Sequence, residues 1–320
     1  MKALAVIALL LVVILVSLSA YLRLAHSGIG CADWPACYGR IGEVPAVVAP
    51  MSTEDAYQKL VDESGKALAW ATPLHRLVAS VLGLLVVFMM LVALRQKRQR
   101  LLCFLLLALT VYLAVLGIRS GSLHDPAVVM GNLAGGFAML GLLGWLVFST
   151  GSRGHPPARV AALTTLAVVA LCLQILLGGF TSANFAATSC QTLPDCHGSW
   201  WPGPALATAL DVSREHAVTA SGQAVGGEER IAIHKAHRLG AAAAFLLTVL
   251  AATFAVLGNS RFRPISLVIC GLLAAEFAIG ITSVIEGIPI ALAVSHNWFA
   301  GLLLLALLKL LALSTPQKWR

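Results

Sequence analysis

The stretch "LHRLVASVLGLLVVFMMLVALRQKRQR" (74–100) opens on a histidine–arginine pair, stays apolar and closes on a basic cluster. An apolar run of about 20 residues crosses a bilayer as a helix, because a helix satisfies its own backbone in lipid. Arg95, Lys97, Arg98 and Arg100 mark its cytoplasmic end, since basic loops stay inside. Seven further stretches read the same way. The expected spans are 3–22, 73–94, 101–119, 127–148, 159–180, 234–257, 264–285 and 288–313. The first reads as a span and not as a signal peptide, because its run is long and no small-residue cleavage site follows.

The whole chain agrees. Its 320 residues are 59% hydrophobic and 11% charged, where a soluble domain carries about 25% charge. The mean hydropathy is +0.88. The segments 95–100, 151–159 and 258–264 and the C-terminus hold Lys and Arg but no acid; of the 14 acids only Glu276 falls inside a span. An eight-span chain with both termini in the cytoplasm satisfies this pattern in every loop. The net charge of +8 therefore belongs to lipid-facing loops and excludes a nucleic-acid reading.

The chain repeats itself. "CADWPAC" (31–37) returns as "CQTLPDC" (190–196), "LHRLVAS" (74–80) as "AHRLGAA" (236–242), and "VLGIRSG" (115–121) as "AIGITSV" (278–284). Four spans per repeat cross an even number of times, so the repeats share one orientation. The expected fold is an all-α integral membrane protein of eight transmembrane helices, arranged as two parallel-repeat four-helix bundles, 1–150 and 151–320.

Cys31, Cys37, Cys190 and Cys196 fall in the two long outer loops. In an oxidising compartment the pairs Cys31–Cys37 and Cys190–Cys196 are expected as disulfides. A soft-metal site and a redox-active pair stay open as alternatives. Cys103, Cys172 and Cys270 lie inside spans and read as small hydrophobes.

Ionisable residues at membrane depth point to function. His75, His237 and His296 lie near the outer ends of spans 2, 6 and 8. His237 and His296 belong to one repeat. Two imidazoles from facing helices at one depth are what a b-type haem needs; the alternative for a membrane histidine is a hydrogen bond to a neighbouring helix. Arg238 and Arg76 stand where propionates would emerge. Zinc or copper would need further ligands at this depth, and none is seen. His234 shares a helix face with His237 and reads as a propionate or proton-transfer residue. In the first repeat Asn132 stands near the position of His296, which leaves His75 with an open opposite face. Glu276 reads either as a hydrogen-bonded carboxyl or as a proton-relay group. The segment 52–68 is expected as a short amphipathic helix capped by Ser52. Trp200 and Trp201 suit the interface, and 205–232 reads as a mobile polar loop.

"SGIGCADWPACYG" (27–39), "HRLVASVLG" (75–83), Gly178 and Gly179, "AHRLGA" (236–241) and "SHNWFAG" (295–301) together resemble the haem A synthase family. The resemblance covers nearly the whole chain. It implies an enzyme of the bacterial plasma membrane that oxidises the C8 methyl of haem O to a formyl group for haem–copper terminal oxidases. It implies a haem b cofactor on His237 and His296 in the second half, and substrate haem O at His75 in the first. Haem O synthase and terminal oxidase assembly proteins are the implied partners, beside membrane lipid; a homo-oligomer is compatible. Family members usually carry a second histidine in span 4, where this chain has Asn132. They often carry a glutamate three residues before the span-2 histidine, where this chain has Thr72. Two other functions compete: a non-catalytic bis-histidine cytochrome, and an assembly factor delivering haem or copper through the cysteine loops.

Overall fold

The computed structural model describes residues 1–26, 71–119, 126–149, 158–211 and 227–315. They form α1 (Lys2–His26), α2 (Ala71–Gln96), α3 (Arg100–Arg119), α4 (Pro126–Phe148), α5 (Ala158–Ala183), α6 (Ala205–Ala209), α7 (Glu228–Gly258), α8 (Arg263–Ile285) and α9 (Ile290–Ser314). No strand occurs among the described residues. All but α6 are long and apolar enough to cross a membrane, giving 8 such helices among the described residues. The protein is an all-α, multi-span membrane protein. Cys31, Cys37, the 52–68 segment, His124, His155 and His216 lie outside the described residues.

The spans match the expected ones within a few residues, with one correction. The loop expected over 205–232 contains α6, and α7 begins at Glu228 and not near 234. Glu228 and Glu229 occupy the first turn of α7, where carboxylates complement the helix dipole. At about 1.5 Å per residue α7 outruns a hydrocarbon core of about 30 Å, so its first turns project beyond the apolar layer.

The helices close into two rings. In the first, α1 packs on α2, α2 on α3, α3 on α4 and α4 on α1. In the second, α5 packs on α7, α7 on α8, α8 on α9 and α9 on α5. The rings meet where α4 touches α5 and α9, and where α9 touches α1. Accordingly 50% of the α4 window and 56% of the α9 window are buried, against 28% at most elsewhere. Leu140, Leu143, Leu303 and Leu307 are among the buried side chains of this seam.

Lipid is as apolar as leucine, so close packing and not water exclusion holds such a seam together. Small residues allow the approach. A Cβ on Gly144 of α4 would lie 2.6 Å from Leu305 of α9, and one on Gly301 of α9 would lie 3.2 Å from Leu140 of α4. Hydroxyls within the spans turn back onto their own helices: Thr164 bonds the Val160 carbonyl and Ser283 the Ile279 carbonyl, both at 2.7 Å. Backbone and side-chain polarity is thereby kept out of lipid.

Turn chemistry sets the ends. Asn259 Oδ1 accepts from the Arg261 amide at 2.9 Å and caps the 3-10 turn Ser260–Phe262. A proline then stands in the first turn of α8, where its missing N–H costs nothing. Gly287, at φ +71°, gives the tight link from α8 to α9. Arg261 donates to the Leu313 carbonyl at 2.7 Å, tying the α7–α8 turn to the end of α9.

Candidate functional site

In the second ring α7 and α9 stand diagonally, with α5 and α8 between them. His237 of α7 and His296 of α9 meet across the middle. Their ring centres are 6.5 Å apart and their planes cross at 81°. Each ring rests against a glycine of a flanking helix. A Cβ on Gly178 of α5 would lie 3.2 Å from His237 Cε1, and one on Gly280 of α8 would lie 3.2 Å from His296 Cε1. Any larger residue would push the imidazoles aside.

Each ring also has a polar neighbour. Gln174 Nε2 of α5 lies 3.0 Å from His237 Nδ1. Glu276 Oε1 of α8 lies 3.2 Å from His296 Nδ1, with the two side chains 15% and 34% exposed. That contact is off the line of a hydrogen bond, and His296 Nδ1 and Glu276 Oε2 are both buried without one. Among the described residues no group of three or more His, Cys, Asp or Glu gathers to hold a metal ion. Among the described residues the site offers two facing imidazoles and no closed cage. That set suits an iron whose other positions are filled by a macrocycle.

His234, one turn before His237, is buried at 5% exposure and pairs through Nδ1 with the Ala186 carbonyl at 3.0 Å. It joins α7 to the segment after α5. Ser189 Oγ donates to the Arg230 carbonyl at 3.0 Å, and Arg230 Nε to the Phe185 carbonyl at 2.9 Å, at the same junction. Arg238 points into the cysteine loop. It donates to the carbonyls of Cys190 at 2.7 Å, Thr192 at 2.7 Å and Asp195 at 2.5 Å. Cys190 and Cys196 are disulfide-bonded with Cα atoms 5.0 Å apart. The loop they close lies against the N-terminal part of α7, through Ile231 and Arg238. Trp200 and Trp201 are exposed just beyond it.

In the first ring α2 and α4 are the diagonal pair. His75 of α2 and Asn132 of α4 are each half-buried. Arg76 is exposed, and its carbonyl accepts from Ser80 Oγ at 2.9 Å. Thr72 lies in the first turn of α2. Cys103 is buried and Cys172 and Cys270 are exposed, all three as free thiols.

Residues 2–308 match the family described as cytochrome oxidase assembly protein, COX15-CtaA. This chain belongs to that family. A protein of Shewanella oneidensis called "Heme A synthase" is 34% identical over 310 residues, covering 94% of this chain and 92% of that one. A "Heme A synthase" of Neorickettsia sennetsu is 25% identical across 93% of this chain and 94% of its own length. A third, of Rhizorhabdus wittichii, is 32% identical over 152 residues, covering 48% of this chain and 40% of that one.

In this member of the COX15-CtaA family the structure brings together His237 and His296 and joins Cys190 to Cys196, pairs the sequence named, whereas it leaves His75 half-buried on α2 and adds Gln174, which the sequence reading missed. The available signal was plain: an amide inside a span whose neighbours are Leu173, Ile175 and Leu176. Polar groups at that depth rarely stand without a task.

Proposed function

We propose that this protein is a haem A synthase, an oxidoreductase that converts the C8 methyl of haem O to a formyl group for terminal oxidases. The observation that carries the reading is the His237–His296 pair, facing across the second ring at 6.5 Å, in a chain similar to a "Heme A synthase" over 94% of its length. A metal atom shared by two imidazoles puts their centres about 6 Å apart when each metal–nitrogen bond is about 2 Å. The observed separation agrees, and the glycines beside the rings leave them free to take that position. The residues fit a resident b-type haem.

His237 and His296 are its ligands. When bound, the haem supplies one-electron transfer. Arg238 would reach a propionate of this haem only by giving up loop carbonyls that it holds, and Arg76, on α2, serves the first half. The disulfide loop, pinned by Arg238, covers the N-terminal part of α7 and limits entry of water. In the first half, 1–150, His75 holds the substrate haem on one face. Asn132 offers the other face only a weak ligand and leaves it open. Turning a methyl into a formyl adds one oxygen, removes two hydrogens and withdraws four electrons. The substrate therefore has to stay oriented, or be rebound, through more than one oxidation step. A half that grips with one strong ligand suits a molecule that must arrive and leave; a half with two suits one that stays.

The membrane is the bacterial plasma membrane, with both termini cytoplasmic and the cysteine loops outside. The basic turns support this orientation, since Arg261 is tied to the C-terminal end of α9 and the disulfide lies toward the opposite ends of α5 and α7. The upstream partner is an enzyme that makes haem O, and the downstream partners assemble the oxidase.

The test is to express the chain with a haem O synthase in a host lacking haem A, extract the membrane haems and separate them. Haem A or its hydroxymethyl precursor supports the proposal. Haem B and haem O alone, from folded and haem-loaded protein, favour the second reading: a bis-histidine cytochrome without oxidase chemistry. Asn132 in place of a fourth histidine is the observation that keeps this alternative standing.

A further inference from the structure

The two imidazoles are served by one device used twice. Gln174 precedes Gly178 by four residues on α5, and Glu276 precedes Gly280 by four on α8. Positions four apart lie on one helix face. In each case the glycine admits the imidazole, and the side chain one turn earlier reaches its Nδ1. Both polar residues stand nine positions before the end of their helix, about 14 Å along the axis.

The unsatisfied atoms point the same way. Gln174 Oε1 is buried without a hydrogen-bond partner, while its Nε2 lies nearer His237 Nδ1, at 3.0 Å, than the ring Nε2, at 3.5 Å. Turning the amide over lets Oε1 accept from Nδ1–H and leaves Nε2 of the ring for iron. A small shift of Glu276 does the same for His296, whose Nδ1 lies 3.2 Å from Oε1. Gly240 makes the room, because a Cβ there would collide with Gln174 Oε1. Gly240 lies one turn after His237 on the same face.

The first half lacks the device. Matching His75 to His237 puts Val78 at the place of Gly240. Matching Gly117 to Gly280 puts Leu113 at the place of Glu276. Counting back from the first cysteine of each cassette puts Leu15 at the place of Gln174. Every polar partner is replaced by an apolar residue.

Building on the haem reading above, we infer that Gln174 and Glu276 are positioning residues that lock the two ligand imidazoles and make the second half a permanent haem site. Outer hydrogen bonds fix ring orientation and raise ligand basicity, and their loss weakens metal binding about 10–100-fold. A carboxylate accepts more strongly than an amide oxygen, so Glu276 as carboxylate sets the reduction potential low and Gln174 holds the opposite ring without adding to that effect.

The test uses purified full-length protein in detergent, first wild type and then the isosteric variants Glu276→Gln and Gln174→Glu. Haem content, the reduced-minus-oxidised spectrum and the midpoint potential are recorded beside a size-exclusion profile. Glu276→Gln is expected to raise the potential and Gln174→Glu to lower it, with both profiles unchanged. Two further variants, Gln174→Leu and Gly240→Val, are both expected to lose haem on washing, the first by removing the amide and the second by displacing it and Leu177. Wild type without a low-spin b-type signal overturns the haem reading, and this inference with it. A normal wild-type signal with unmoved potentials in both isosteric variants overturns this inference alone.

Discussion

Arg238 follows His237 directly, and the two side chains leave the helix about 100° apart. One turns into the ring of helices. The other turns up into the cysteine loop and gathers three of its carbonyls at 2.5–2.7 Å. The histidine–arginine pair thus divides its work between the interior and its cover. Arg238→Ala leaves those carbonyls to water and frees the loop. It is expected to cost about 1–3 kcal/mol, read as a lower melting temperature and faster proteolysis within 190–196, with the disulfide intact by mass. The ligand assignment is tested at the same scale. His237→Ala or His296→Ala is expected to abolish the low-spin b-type spectrum. His234→Ala is expected to keep it, because that ring is committed to the Ala186 carbonyl.

At the scale of elements, the seam of α4 and α9 decides whether the two rings form one molecule. Leu140 and Leu305 lie where glycines of the other helix let them in. Overfilling a packed contact costs about 1–3 kcal/mol. Gly301→Leu is therefore expected to lower the melting temperature in detergent and broaden the size-exclusion peak. The same change at Gly271, which has nothing within 4 Å of a built Cβ, is expected to be silent. The comparison separates the gain in helix propensity and the change in lipid contact, common to both variants, from loss of the seam. The α5–α7 pair matters in another way, because it carries Gln174, Gly178, His237 and Gly240 in one contact.

For the whole molecule, the alternation of eight spans puts every basic turn at one end and the disulfide loop at the other. Lys97→Cys is expected to react with a membrane-impermeant maleimide only after cells are opened. Trp201→Cys is expected to react in intact cells. The reverse result would invert the proposed orientation. The two rings have the same order of neighbours but unequal content: two opposed histidines with polar supports in one, His75 opposite Asn132 in the other. One tightly held haem per chain is the expected stoichiometry of purified wild type, and His75→Ala is expected to leave that haem in place.

The chain's own order of residues determined the eight spans, the basic loops, the two copies of the cysteine cassette and the histidines near the span ends opposite the basic turns. Each of these is written in consecutive residues, as a run of apolar side chains, a cluster of charge or a motif at fixed spacing. Even the start of α7 was within reach, since Glu228 and Glu229 mark a helix N-terminus. Tertiary structure alone decided which helices are diagonal and that α4 and α9 are central. It also turned Gln174 and Glu276 toward the two imidazoles and Arg238 toward the loop. Such facts depend on how helices distant in sequence rotate and cross. In lipid that choice rests on close packing of small and large side chains, which no single helix displays by itself.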